Sequence, residues 1–121
     1  MKTIEDIKAL LPEVYKMMYD TMECGRILVD EVDGGSNSCF FEKDGWEINV
    51  YYICQGYYYY MPQTYWEPSE EGFTKAWCEV SEIEIIYHDD NEGDQVFENE
   101  VLLEIAELID KEMEDVTWNV N

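Results

Sequence analysis

A chain of 121 residues, the length of one ordinary domain, carries 29 acidic side chains against 7 basic ones, a formal charge of -22. A field of that sign repels nucleic acid and anionic membrane, and attracts basic proteins or cations. An apolar content of 46%, with 15% aromatics, excludes the class of disordered polyanions, which lack such residues.

The charge is unevenly spread. Met1 to Asp20 holds four acids and three lysines, whereas Glu79 to Asp115 holds fifteen acids and one lysine, Lys111. No apolar run approaches the roughly 18–20 residues of a bilayer span. The opening MKTIEDIKALL places acids where a secretory signal has its apolar core. The expectation is a cytoplasmic protein whose Cys24, Cys39, Cys54 and Cys78 are free thiols. No two cysteines have CxxC spacing, and His88 is the single histidine, so no metal site and no cofactor is expected.

Thr3 is placed to cap a first helix, with Asp6 where a capping box has Glu or Gln. Ile4, Ile7, Leu10, Leu11, Val14, Met17 and Met18 recur at three- and four-residue steps and form one apolar stripe. Pro12 either kinks this helix or opens its second half, and Gly25 ends the region. Ile27 to Val32 reads as a first strand, and Asp33 to Asn37 as a loop. Ser38 to Glu42 reads as a strand joined through Asp44-Gly45 to Trp46, because both central positions of a type I′ turn need positive φ.

Trp46 to Tyr60 is the main strand. Trp46, Ile48, Val50, Tyr52 and Cys54 alternate with Glu47, Asn49, Tyr51 and Ile53. Gly56 marks a bulge or bend within it. Pro62 to Gly72 reads as a long loop and Phe73 to Tyr87 as a second long strand. In that strand Ala76, Cys78 and Val80 share one parity while Ile83, Ile85 and Tyr87 share the other. One extra residue near Ser81-Glu82, a β-bulge, restores a common face. His88 to Asp94 reads as a turn. From about Gln95 to Asp115 the period is helical, with Val101, Leu102, Ile105, Leu108, Ile109 and Met113 on the buried side. The acids near the end of that helix oppose its dipole, so packing must hold it. The expected fold is α+β: an N-terminal helix, an antiparallel β-meander of three to four strands, and a C-terminal amphipathic helix packed on one sheet face.

The succession of strand Trp46 to Tyr60, loop Tyr65-Trp66-Glu67-Pro68, a strand carrying Glu79-Val80 and Ile83-Glu84-Ile85, and an acidic helix resembles small uncharacterised proteins of phages and mobile elements. The resemblance spans about Trp46 to Asp110 and implies a fold and a genomic setting. It brings no activity with it.

No catalytic constellation stands out. His88 sits among acids that favour its charged form, which makes a poor neutral base. Glycine patterns for phosphate binding are absent, and Arg26 is the single arginine. A calcium loop with Gly93 at its glycine position would begin at His88 and end at Asn99, where Asp and Glu are required. The tyrosine run Tyr57 to Tyr60, with Tyr65 and Trp66, either packs beneath the long loop or forms an exposed patch; Tyr and Trp are favoured interface anchors.

The expected function is non-enzymatic: an acidic protein-interaction module, in its narrower form a phage or mobile-element inhibitor that mimics nucleic acid toward a basic nucleic-acid-binding protein. The candidate partner-binding residues are Glu79, Glu82, Glu84, Glu100, Glu104, Glu107, Tyr58, Tyr60 and Trp66. The alternative is a small enzyme or a cation-binding accessory domain.

Overall fold

The computed structural model describes residues 1–23 and 35–119. The strand expected at Ile27–Val32, together with Cys24, Gly25 and Arg26, lies outside them. Helix α1 (Ile4–Glu23) is followed by strands β1 (Gly35–Lys43), β2 (Trp46–Met61), β3 (Glu70–Asp89) and β4 (Gly93–Val96), then helix α2 (Asn99–Glu112) and a 3-10 turn at Thr117–Asn119. The four strands form one antiparallel sheet in chain order. The α+β expectation therefore holds, with both helices on one sheet face. Among the described residues no helix is long and apolar enough to cross a membrane.

The elements follow from local chemistry. The Asp6 carboxylate accepts the Thr3 N–H at 2.7 Å, so that half of the capping box forms with Asp in place of Glu, while the Asp6 N–H donates to the Thr3 carbonyl. α1 runs through Pro12 as one helix, without the N–H that Pro12 cannot supply to Lys8. Asp44 (φ 50°) and Gly45 (φ 89°) both take positive φ, as a type I′ hairpin requires. A Cβ on Gly45 would lie 2.9 Å from the His88 carbonyl oxygen, so this turn is also a close backbone crossing. In the β2–β3 ladder Tyr51 faces Glu82 while Tyr52 faces Val80. Ser81 is the extra residue, and it puts Ala76, Cys78, Ile83 and Ile85 on one buried face.

That face meets both helices. Ile7, Leu11, Val14 and Met18 of α1 and Ile105 and Ile109 of α2, with Met113 and Val116 beyond it, pack against Ile48, Val50, Tyr52 and Cys54 of β2. Each fully buried aliphatic side chain contributes about 1.5–3 kcal/mol. Like-charge pairs along the acidic side of α2 cost only about 0.2–0.5 kcal/mol each, so packing decides that the helix forms. Tyr15 and Tyr19 of α1 donate to the carbonyls of Leu108 and Glu112 and join the two helices.

The end of α2 also finishes the sheet. β4 covers β3 only from Ile86 to Asp89. Farther along the same edge, the Val80 N–H donates to Asp110 Oδ1 (2.7 Å) and the Cys78 N–H to the Met113 carbonyl (3.0 Å). The Ala76 carbonyl accepts from Val116 (2.7 Å), and the Ala76 N–H donates to Thr117 Oγ1 (2.8 Å). Bare strand-edge groups are thereby satisfied without another strand.

Four boundaries differ from expectation. The turn read at His88 to Asp94 narrows to Asp90–Glu92, because His88 and Asp89 of β3 pair with Asp94 and Gly93 of β4. Gly35 to Asn37, read as loop, belongs to β1, because the ladder to Tyr52–Cys54 of β2 outweighs loop composition. The long loop shrinks to Pro62–Ser69, since Glu70 to Gly72 pair with Tyr59 to Met61. The helix expected from Gln95 starts at Asn99, and Gly93 to Val96 form β4 instead. Gln95 explains part of this: its side-chain amide exchanges two hydrogen bonds with the backbone of Lys2, fastening β4 to the start of the chain.

Candidate functional site

Strand alternation sends the second set of side chains to the other sheet face, which no described element covers. Phe40 and Glu42 of β1, Glu47 to Tyr57 at alternate positions of β2, and Trp77, Glu79, Glu82, Glu84 and Ile86 of β3 lie there. The register places Glu79 opposite Ile53, Glu82 opposite Tyr51 and Glu84 opposite Asn49. Three exposed carboxylates thus form a column beside a column of half-buried polar and apolar groups.

The six expected acids do not form one surface. Glu79, Glu82 and Glu84 are on the open sheet face, while Glu100, Glu104 and Glu107 are exposed on α2, across the sheet. The bare edge of β3 is where the sets approach each other: Glu79 and Glu107 border one cleft of about 720 Å³. Glu82 borders a second depression with Leu102, Leu103 and Ala106. Glu100 and Glu104 border a third, beside Ile4 near the start of α1, and Glu104 lies 3.8 Å from Lys8.

The large cleft has walls of different character. On the sheet side, the Tyr57 and Trp77 rings pack at 5.4 Å with a 52° tilt. The Trp77 indole N–H donates to Glu79 (3.2 Å), and the Lys75 ammonium stands 5.7 Å over the Trp77 ring. On the helix side are Glu107, Asp110, Lys111 and Glu114. Burial raises the Asp110 carboxyl above its ordinary value, with Glu79 and Glu107 adding to the rise against the lowering by the Val80 N–H. Trp77 and Asp110 were not among the expected site residues. The parity that sends Ala76 and Cys78 inward also sends Trp77 outward, so that signal was present in the sequence. The approach of Asp110 to Val80 had no sequence signal.

The tyrosine run lies on a projecting arm. Among the described residues, β1 ends opposite Cys54, and the β2–β3 pair continues as a two-stranded ribbon to Met61 and Glu70. At about 3.3 Å per residue, seven further residues extend it by about 23 Å. The tip loop is exposed throughout: Tyr65 is 90% and Trp66 85% exposed, packed edge-to-face on each other at 4.6 Å. Tyr57 and Tyr60 are also exposed, so the exposed-patch alternative applies to them. Tyr58 pairs with Phe73 in the ladder, and its side chain lies outside the described residues.

His88 is held between two carboxylates, with Nδ1 at 2.5 Å from Asp94 and Nε2 at 3.0 Å from Glu47. The bond to Asp94, above all, and then Glu47 raise its pKa, so the imidazolium is favoured. Cys39, Cys54 and Cys78 are buried and free. Cys54 and Cys78 face each other across β2 and β3. The contact with Cys54 and burial push the Cys78 thiol up, and burial pushes that of Cys39 up to about 11. An activated nucleophile needs the opposite shift.

Compared with known proteins, the chain matches no family model, no curated protein and no solved structure.

Proposed function

We propose that this chain is a non-enzymatic, acidic interaction module that binds a basic protein. The observation supporting this best is the cleft at the β3 edge, which brings Glu79, Glu107 and Asp110 together with Tyr57 and Trp77, with Glu82 on a neighbouring depression. Aromatic rings supply contact area at interface centres, and the -22 charge of the chain speeds encounter with a cationic partner. The exposed Tyr60, Tyr65 and Trp66 add a second apolar contact on the arm.

The narrower reading is a cytoplasmic inhibitor of phage or mobile-element origin that imitates nucleic acid. Glu100, Glu104 and Glu107 would present charges along α2 in steps of about 6 and 4.5 Å, given 1.5 Å per residue. A DNA strand presents one per about 3.4 Å. The helix line is sparser, and Lys8 thins it at Glu104. Mimicry therefore demands that nucleic acid compete for the same partner.

The test begins with affinity capture of a partner from the native host, followed by association kinetics. Screening length falls from about 10 Å at 0.1 M salt to about 3 Å at 1 M, so association must slow across that range. The combined variant Glu79→Gln, Glu82→Gln, Glu107→Gln should slow it further at low salt. A partner whose association ignores both salt and these substitutions would refute the acidic module. A partner that binds nucleic acid and this protein together would refute mimicry alone.

A further inference from the structure

We propose that the cleft between the edge of β3 and α2 is a receptor for an arginine side chain of the basic partner. The inference rests on the reading of this protein as an acidic interaction module and specifies where and how it recognises cationic residues.

The cleft, about 720 Å³, falls within the roughly 300–1,000 Å³ of ligand-binding pockets, so it accommodates a side chain with its flanking backbone. Its two walls suit different parts of a guanidinium. The tilted Tyr57–Trp77 pair presents π faces, and cations are drawn to such faces, most strongly to Trp. Glu79, Glu107 and Asp110 line the same cleft, together with Lys111. A guanidinium is planar and forked, stacks on an aromatic ring and bonds a carboxylate with two N–H groups at once; an ammonium is a compact point charge. A cleft that offers both a stacking ring and carboxylates therefore favours arginine over lysine.

The chain already demonstrates that this ring accepts a cation, because the Lys75 ammonium stands over Trp77 at 5.7 Å. Lys75 is exposed and opposite Tyr57 in the ladder, so it is an internal competitor for the same π face. An incoming guanidinium must displace it. Glu79, which now accepts the Trp77 indole N–H at 3.2 Å, would turn toward the new cation. Two consequences follow. Removing Lys75 tightens binding, although a lysine on an acidic protein is ordinarily a neutral surface position. The Trp77 indole N–H resonance moves when the cleft fills, because its acceptor changes.

The experiment uses the full chain with three probe peptides, Gly-Arg-Gly-Arg-Gly and its Lys and Gln counterparts, at fixed low salt. Affinity is measured by calorimetry, and the four indole N–H signals by NMR, assigned through single Trp substitutions. The expected result is saturable binding of the Arg peptide with a shift of the Trp77 signal, and weaker binding of the Lys peptide. Trp77→Leu should lower Arg-peptide affinity about two- to fivefold, the range for a partly exposed cation–π contact. Lys75→Ala should raise it, and Glu100→Gln with Glu104→Gln, outside the cleft, should change it less than Glu107→Gln does. Circular dichroism confirms that each variant is folded, and Glu79→Gln gives a second probe should Trp77→Leu unfold. Arg and Lys peptides that bind equally, with the Trp77 signal unmoved and Trp77→Leu without effect, overturn the arginine cleft while leaving a general acidic module standing. No binding of either cationic peptide, together with a salt-indifferent partner, overturns both.

Discussion

Asp110 offers the sharpest separation of hydrogen bonding from charge. Its Oδ1 accepts the Val80 N–H at 2.7 Å on a strand edge that has no partner strand there among the described residues. Asp110→Ala deletes the acceptor. Leaving a part-buried N–H unpaired costs about 1–3 kcal/mol, and relief of repulsion from Glu79 and Glu107 returns a few tenths. The net expectation is a loss of about 1–2 kcal/mol. With about 2.1 cal/mol/K of unfolding entropy per residue, 121 residues give about 0.25 kcal/mol/K, so each kcal/mol moves the Tm by about 4 °C. Asp110→Ala should therefore melt about 4–8 °C below the parent. Asp110→Asn keeps a carbonyl acceptor and removes the charge. Burial, with Glu79 and Glu107, raises the folded-state pKa of Asp110 above its ordinary 3.8, so the folded state holds this proton more tightly than the unfolded state. The stabilising linkage is complete below the unfolded pKa and is lost as pH rises through the folded one. Above that window the charge is a burden, and Asn should be equal to Asp or better. Thermal melts by circular dichroism at pH 7 and near pH 3.5 would resolve this. Asn should melt at or above the parent at pH 7, with the difference shrinking toward acid. An Asn variant as destabilised as Ala at pH 7 would refute the reasoning, because the charge and not the acceptor would then be holding β3.

Ile109→Ala, at a fully buried position, should cost about 2–5 kcal/mol, whereas Leu103→Ala on the exposed side should be nearly neutral, as read from urea midpoints. NMR titration should find His88 protonated to a higher pH than an ordinary histidine; the stability it confers is full below about 6.5 and lost as pH rises through its folded pKa, so His88→Asn should flatten that part of the stability profile. Deleting Ser81 removes the bulge and leaves Ala76, Cys78, Val80, Ile83 and Ile85 in one unbroken alternation on the buried face, so a cooperative urea transition should survive, whereas deleting Glu79, which flips the residues on one side of it, should abolish that transition.

What the sequence made legible was periodic or local. The alternation from Trp46 to Cys54, the Asp44-Gly45 turn, the Thr3–Asp6 cap and the parity change that demanded Ser81 all depend on residues close in the chain. What it concealed was long-range. β4 has four residues without alternation and is held by the register to His88 and by Gln95 reaching Lys2. Gly35 to Asn37 look like loop until β2 pairs with them. The acids were individually recognisable as exposed, but only the packing of α2 over β3 separates Glu100 and Glu104 from Glu79 and joins Glu107 to it. The arginine cleft depends on the same packing, since Trp77 and Asp110 are brought to one cleft from different elements.

The seal on β3 by Asp110, Met113, Val116 and Thr117 also sets an order of events during synthesis. Ribosomes add roughly 5–20 residues per second, and β2 and β3 are complete well before Thr117 is made. Until the segment through Thr117 docks, a hairpin of β2 and β3 carries a bare edge from Ala76 to Val80, the kind of edge that recruits neighbouring chains. Glu79, Glu82 and Glu84 stand along that strand during the interval, and like charges on every copy keep two nascent edges apart. The acids of β3 thus act as a temporary guard, relieved when the last turn of α2 and the segment after it dock. A chain cut after Glu112 would keep the guard and lose the seal at Ala76 and Cys78, leaving its solubility dependent on low salt.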